Sequence, residues 1–482
     1  MSSQSQAVLK PRVAEHPSGA APHSIPEPSL LRASPGFGGY AGIFLTCASV
    51  LLFELALTRI FSVLLWAHLA FMVVGTALFG FGLSGVYLAL RTPRPVASMR
   101  SRLGELSLLL TVTMLACYLV VSKVPFEMWN FQENPINYLY LGIWYVALVV
   151  PFFVAGLIVA QLLSAYPLHN SKLYGTDLIG AAAGSLLLIP LIPNLGAEGI
   201  VVLSAMLAAL AGLAYTPARD RMRRALLLLA IAGLALLLPK APSVLKLTPH
   251  QDKRRFNTAA AYGHIYETRW SPLSRVDIAY HKNDILDIWI DGGTNESAIL
   301  KWNGDLSTTQ PLNWSTIGLA YDLKRGTEPN VMIIGPAGGK EVLFALSHGA
   351  SHVDAVEMDP SIVALVNEPR YAEFMGRLYQ HPKVTLHNDE GRSFLRRQPE
   401  GVYDVIQSVN NYTPVAMNAG ALNLSAAFLL TKEALHDYLN HLTPNGVLAL
   451  HRGAALRIAI AASEVLGERG IQDPGAHLLV TS

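Results

Sequence analysis

The sequence of 482 residues is poor in cysteine, in charge, and in any surplus of one sign of charge. Its two cysteines, Cys47 and Cys117, both sit inside apolar runs, so no disulfide framework, CxxC pair or Cys/His metal site can be assembled from them. Charged residues make up 15% of the chain and the formal net charge is +2. The basic residues are spread among loops, which leaves no cationic face of the kind nucleic acid requires. His264, His281 and His451 show neither metal-ligand spacing nor a Ser or Cys partner in a nucleophile turn, and they read as surface or structural groups. No metal is expected. Residues 1–37 carry Pro11, Pro17, Pro22, Pro26, Pro28 and Pro35 among Ser and Ala and lack the apolar core of a signal peptide. That composition is expected of a disordered tail.

What is abundant is apolar. Hydrophobic residues form 51% of the chain and the mean hydropathy is +0.35, so one partner of this protein is the lipid bilayer. Runs long enough to cross roughly 30 Å of hydrocarbon occupy about 41–63, 68–90, 103–122, 138–165, 173–193 and 198–216. A seventh run, Ala225 to Leu238, has 14 residues before Pro239 and Lys240, a length that suits a re-entrant segment as well as a span. The fold expected over 38–240 is thus an α-helical transmembrane bundle of six spans, or seven. GFGLSG at 80–85 and the Gly180, Gly184 pair read as helix-packing faces. Glu54, Arg59 and Asp177 are ionisable groups within spans, where charge is costly and faces the bundle interior or an interface.

Arg91, Arg94, Arg100 and Arg102 follow the second span, and Arg219, Arg221, Arg223 and Arg224 follow the sixth. The positive-inside rule makes both loops cytoplasmic, together with the N-terminal tail. Six spans leave the C-terminal half in the cytosol, and seven export it. The cluster Lys253, Arg254, Arg255 favours the cytosolic placement, at a bacterial inner membrane.

Beyond residue 245 the pattern changes. SRVDIAY (274–280) and DIWIDGG (287–293) form a small β-unit that, with a connecting helix near 311–324, fills 245–325. VMIIG (331–335), HVDAVEM (352–358), KVTLHN (383–388), YDVIQSV (403–409) and GVLALHR (446–452) then alternate with helical segments, the signature of a Rossmann-like, doubly wound α/β domain over 326–482. HLLVTS supplies a sixth strand and no sequence remains for the antiparallel strand that closes sheets of this class, so the chain reads as truncated.

The turn after the first parallel strand excludes two ligands. A dinucleotide turn needs glycine at 335, 337 and 340, where Gly335, Ala337 and Lys340 stand. A P-loop needs glycine at 334 and a hydroxyl at 341, where Ile334 and Glu341 stand. What remains is a strand, a tight turn through Gly335, Pro336, Ala337, Gly338 and Gly339, and a helix N-terminus whose amides a ligand can approach. Glu357 follows at the end of the next strand, placed to accept from ribose hydroxyls, and NDEGRSFL (388–395) adds an acidic turn on the same sheet edge. Together these describe a nucleoside pocket without a phosphate requirement.

These motifs, VMIIGPAGGKE, VEMDP at 356–360, DEGRSFL at 389–395 and YDVI at 403–406, resemble the spermidine synthase-like branch of the S-adenosylmethionine-dependent methyltransferase superfamily. Bacterial membrane-integral members fuse such a domain to several spans, and the resemblance covers about 270–453. It implies a transferase that uses S-adenosylmethionine or its decarboxylated form as substrate, with a small-molecule acceptor such as an amine. It implies that Glu357 and Met358 meet the ribose, and that Asp389 or Glu390 meets the adenine. The chain departs from the family at the reacting end. QSVNNYTP replaces a run with two aspartates, so Asn410, Asn411 and Tyr412 occupy the catalytic positions, and Asn295 is the nearest counterpart of a substrate-binding glutamine. An amide cannot act as a general base, which sets ordinary spermidine synthesis against these residues. Methyl transfer needs less of a base. The alternative function is a transport or sensing protein whose soluble domain binds a nucleoside or polyamine without catalysis.

Overall fold

The computed structural model describes residues 34–65, 71–91, 96–127, 132, 134–250, 253–282, 284–313, 316–409, 429–451 and 455–480. The expected disordered tail falls outside these residues except for its last few positions.

Six described helices are long and apolar enough to cross a membrane. In chain order they are α1 (Gly36–Leu64), α2 (Phe71–Ala89), α3 (Val96–Lys123), α4 (Ile136–Ala165), α5 (Asn170–Tyr215) and α6 (Arg221–Leu237), the last prolonged by short turns to Val244. α5 is not one rod. Gly196, at φ 65° and ψ 171°, breaks it behind Pro190 and Pro193, in a region of backbone space that only glycine occupies readily. The contacts of its arms with α1 show that the chain folds back there. A Cβ at Gly180 would lie 2.4 Å from Phe44 O, and one at Gly184 would lie 2.2 Å from Ala48 O, so the first arm runs parallel to α1. Ser49 Oγ donates to Ser204 O at 2.7 Å, whereas Thr46 Oγ1 lies 3.2 Å from the Tyr215 hydroxyl, so the second arm runs antiparallel. The two arms are the separate runs 173–193 and 198–216 of the sequence, and with α6 the polypeptide makes seven passes along the bundle.

The ends of the bundle differ in chemistry. At one end Gly38 packs on Ala214 O and Arg100, Ser101 Oγ donates to Asp220 Oδ2 at 3.3 Å, and Arg223 pairs with Glu105 at 2.6 Å. This end holds the start of α1 together with Arg100, Arg102 and the loop that carries Arg219 to Arg224. At the other end Lys253 Nζ donates to Ser62 O at 2.9 Å, the His250 amide to Leu64 O at 3.1 Å, and the Leu247 amide to Glu198 Oε1 at 3.2 Å. The soluble domain is seated there, opposite the arginines.

That domain has two sheets. After a short helix, α7 (Arg254–Ala261), the strands β1 (Ile265–Trp270), β2 (Arg275–Lys282), β3 (Ile285–Ile290) and β4 (Asn295–Leu300) form an antiparallel meander. β5 (Asn330–Ile334), β6 (His352–Glu357), β7 (Val384–Asn388), β8 (Tyr403–Val409) and β9 (Leu442–His451) form a parallel sheet in the order β7-β6-β5-β8-β9. β5 lies at its centre with Val331, Met332 and Ile333 fully buried, as a strand covered on both faces must be. The connecting segment expected as a helix near 311–324 is instead a set of short turns ending in Leu319–Asp322. The sixth strand expected at HLLVTS does not form among the described residues, where Pro474–His477 is a 3-10 turn and Leu479 and Val480 are exposed.

Candidate functional site

Chain order along the parallel sheet reverses between β5 and β8, and the carboxyl edge at such a switch point is where α/β sheets hold ligands. A cavity of about 340 Å³ occupies that edge, closed on its far side by β3 and β4 of the meander. Gly335 and Ala337 from the turn after β5, Glu357 and Met358 from the end of β6, Asp389 and Glu390 after β7, and Asn295 from β4 all line it. Three of the expected residues, Pro336, Gly338 and Gly339, belong to the same turn without lining the cavity. Asn410, Asn411 and Tyr412 lie outside the described residues.

The turn itself is held by its own protein. Gly335 at φ 68° and Gly339 at φ 85° take left-handed conformations, and Ala337 does so at φ 40° despite its side chain. A Cβ at Gly338 would stand 2.4 Å from Ala298 O, and one at Gly339 would stand 2.7 Å from a Leu378 methyl. The missing side chains at 338 and 339 thus admit β4 and a neighbouring turn. Gly339 then caps α8 (Lys340–Ser347), while the Tyr379 hydroxyl donates to Ala337 O at 2.9 Å.

Glu357 is 7% exposed and clamps this turn. Its Oε2 accepts from the Ala337 amide at 3.2 Å and its Oε1 from the Asp359 amide at 2.9 Å. Burial pushes its carboxyl up to about 7, with the adjoining Asp359 carboxylate adding to the rise and the two amides opposing it. Glu390 is occupied too, since its carboxylate caps α10 (Gly391–Leu395) by accepting from Arg392 N at 3.0 Å and Ser393 N at 2.8 Å. Asp389 accepts from the Glu390 amide at 2.8 Å and pairs with the exposed Arg397. That arginine, beside the acidic turn in sequence, is a partner of the site's rim.

Sequence reasoning missed several lining groups. Glu341 was visible only as the residue that defeats a P-loop, yet it stands in the first turn of α8 at 8% exposure, and burial raises its carboxyl to about 7. Asp287 was likewise unmarked, whereas Glu296, Lys340 and the Asp359 of VEMDP, all visible in the sequence motifs, line the cavity with it. Among the described lining residues there are seven carboxyl side chains and one lysine, with no arginine or histidine. Arg255 pairs with Glu296 from the exposed flank. A lining of this sign selects a ligand that carries positive charge and hydroxyl or amino donors. No group of His, Cys, Asp and Glu suited to a metal ion occurs among the described residues.

No protein-family model and no curated protein sequence matches the chain. Among solved structures, spermidine synthase in complex with the transition-state analogue AdoDATO matches at 14% identity and a TM-score of 0.30, over 42% of this chain and 63% of that one. Spermidine synthase from Thermotoga maritima matches at 15% identity and 0.31, over 42% and 64%. A probable spermidine synthase from Corynebacterium glutamicum ATCC 13032 matches at 18% identity and 0.30, over 43% and 70%. This chain thus spans slightly less than two thirds of the first two proteins.

Proposed function

We propose that this is a membrane-integral, spermidine synthase-like group transferase whose soluble domain binds S-adenosylmethionine or its decarboxylated form. The observation that carries the reading is the acidic cavity at the switch point, where Glu357 and Asp389 stand at the two strand ends that a ribose and an adenine would meet. A sulfonium or ammonium group is the complement of the remaining carboxylates. The transferred group is methyl or aminopropyl, and with Asn410 and Asn411 in place of aspartates the chain should show no appreciable aminopropyl transfer to putrescine. Equilibrium binding to the full, detergent-purified chain tests the assignment. One of the two sulfonium compounds should bind with micromolar affinity, and Glu357→Ala should weaken it at least tenfold. Binding of neither compound overturns the reading.

A second reading has its own support. The soluble domain is seated at the bundle end opposite the arginine loops, and by the positive-inside rule that end faces away from the cytoplasm. On that side the domain would meet an external cationic nucleoside or polyamine, as a sensing or transport protein does, in place of cytosolic substrate.

A further inference from the structure

Arg59 belongs to a membrane helix, yet its guanidinium ends in the soluble domain. It is 4% exposed, with Nη1 donating to Leu273 O and Nη2 donating to Ser62 Oγ at 3.1 Å. The turn that receives it, 271–274, joins β1 to β2 and is closed on itself by the Ser271 amide donating to Ser274 O at 2.8 Å. From the opposite side of this turn Ser271 Oγ donates to Asp359 Oδ2 at 3.1 Å, and Ser274 Oγ donates to the same oxygen. Asp359 caps α9 (Pro360–Asn367), and its own amide donates to Glu357. Glu357 in turn holds the Ala337 amide of the glycine turn. Leu273 and Ser274 themselves line the cavity. Every side chain in this relay is buried, and Asp291 and Asp359 are the carboxylates whose field reaches Arg59.

We propose that Arg59 is a positioning residue for the soluble pocket. The bundle fixes the turn at 271–274, the turn fixes Asp359, and Asp359 sets the Glu357 carboxylate together with the glycine turn that it clamps. An arginine at the end of a span is costly unless carbonyls receive it, and a buried carbonyl left without its donor is costly in turn, so the link is held from both sides. The pocket is therefore completed by the membrane domain. The ligand arm of the test below rests on the proposed function, and the exchange arm does not.

Hydrogen exchange on the full chain in lipid nanodiscs, without ligand, decides the matter. Arg59→Met should accelerate amide exchange at 337–339 and 358–362 at least tenfold while leaving β7 and β8 unchanged, and Arg59→Lys, which keeps one donor, should restore most of the protection. Ser271→Ala combined with Ser274→Ala removes both hydroxyls that reach Asp359, breaks the relay outside the membrane and should reproduce the pattern if Arg59→Met fails to fold. Unchanged exchange at 337–339, or an equal acceleration in every strand, overturns the proposal. In the second arm, affinity for S-adenosylmethionine or its decarboxylated form should fall at least tenfold in Arg59→Met and recover in Arg59→Lys, and unaltered affinity likewise overturns it. A wild-type chain that binds neither compound counts against the proposed function, while the exchange pattern still decides the role of Arg59.

Discussion

Glu341 and Ala337 show how a single side chain can carry the strain of a site. Glu341 stands where the helix dipole of α8 favours a negative charge, but burial outweighs that and raises its carboxyl to about 7. A carboxyl whose folded value is raised contributes stability that is fully present below its unfolded value near 4.5 and is lost as pH rises through about 7. Glu341→Gln should therefore match the wild type in thermal unfolding at pH 4 and exceed it at pH 8, by on the order of 3 kcal/mol. Equal stability of the two proteins at pH 8 would refute the burial argument. Ala337 holds φ 40°, a left-handed value that costs a residue with a Cβ about 1 kcal/mol. Ala337→Gly should raise the unfolding midpoint slightly, a change that chemical denaturation can read, whereas a lower midpoint would mean that the Ala337 methyl is worth more in packing than its strain. Neither effect was legible in the sequence. The acid at 341 and the non-glycine at 337 were visible, but the burial of one and the backbone angle of the other depend on β4 and the Tyr379 turn closing over them.

At the scale of elements the sequence was more informative, because periodicity and breakers are local. The five parallel strands lie where their apolar runs are, and the separation of 173–193 from 198–216 was readable from Pro190, Pro193 and Gly196 between them. The glycine turn is legible in the sequence, but the packing role of its glycines is not. Besides the amides it offers a ligand, the turn uses Gly338 and Gly339 to admit Ala298 O and Leu378, contacts made by segments about 40 residues away on either side and invisible to any local pattern. Gly196 offers a test of the helix reversal. A Cβ there would lie 2.9 Å from Glu198 Oε2 and 3.1 Å from Trp270 Nε1, on a backbone that tolerates no side chain. Gly196→Ala should loosen the contact between the α5 turn and β1, seen as a lower unfolding temperature and faster exchange at Glu198 and Trp270. An unchanged protein would mean that the reversal does not need this glycine.

For the whole molecule the decisive quantity is the parity of the passes. The last apolar run suits a re-entrant segment as well as a span when read only as far as Pro239 and Lys240, but Pro239 sits within a 3-10 turn and the segment Arg221–Val244 continues through it for 24 residues. Its start lies beside Ser101 and Glu105, and its end is reached by the Tyr118 hydroxyl, which donates to Leu245 O. Seven passes among the described residues make the parity odd, which predicts that the arginines and the soluble domain lie on opposite sides of the bilayer. In a background lacking Cys47 and Cys117, both of which are buried, single cysteines at the exposed positions Arg221 and Glu400 should react oppositely with an impermeant maleimide. The arginines set the sign: Glu400→Cys should be labelled in cells whose outer envelope is permeabilised, and Arg221→Cys only after the inner bilayer is broken. Labelling of both from the same side would overturn the seven-pass path. The reverse pattern would keep seven passes, place the cavity in the cytosol within reach of adenosyl-sulfonium substrate, and leave the arginine loops as an exception to the positive-inside rule. The expected pattern instead leaves the acidic cavity to a cation on the outer side and favours the sensing or transport reading, so the same labelling decides between the two functions proposed above.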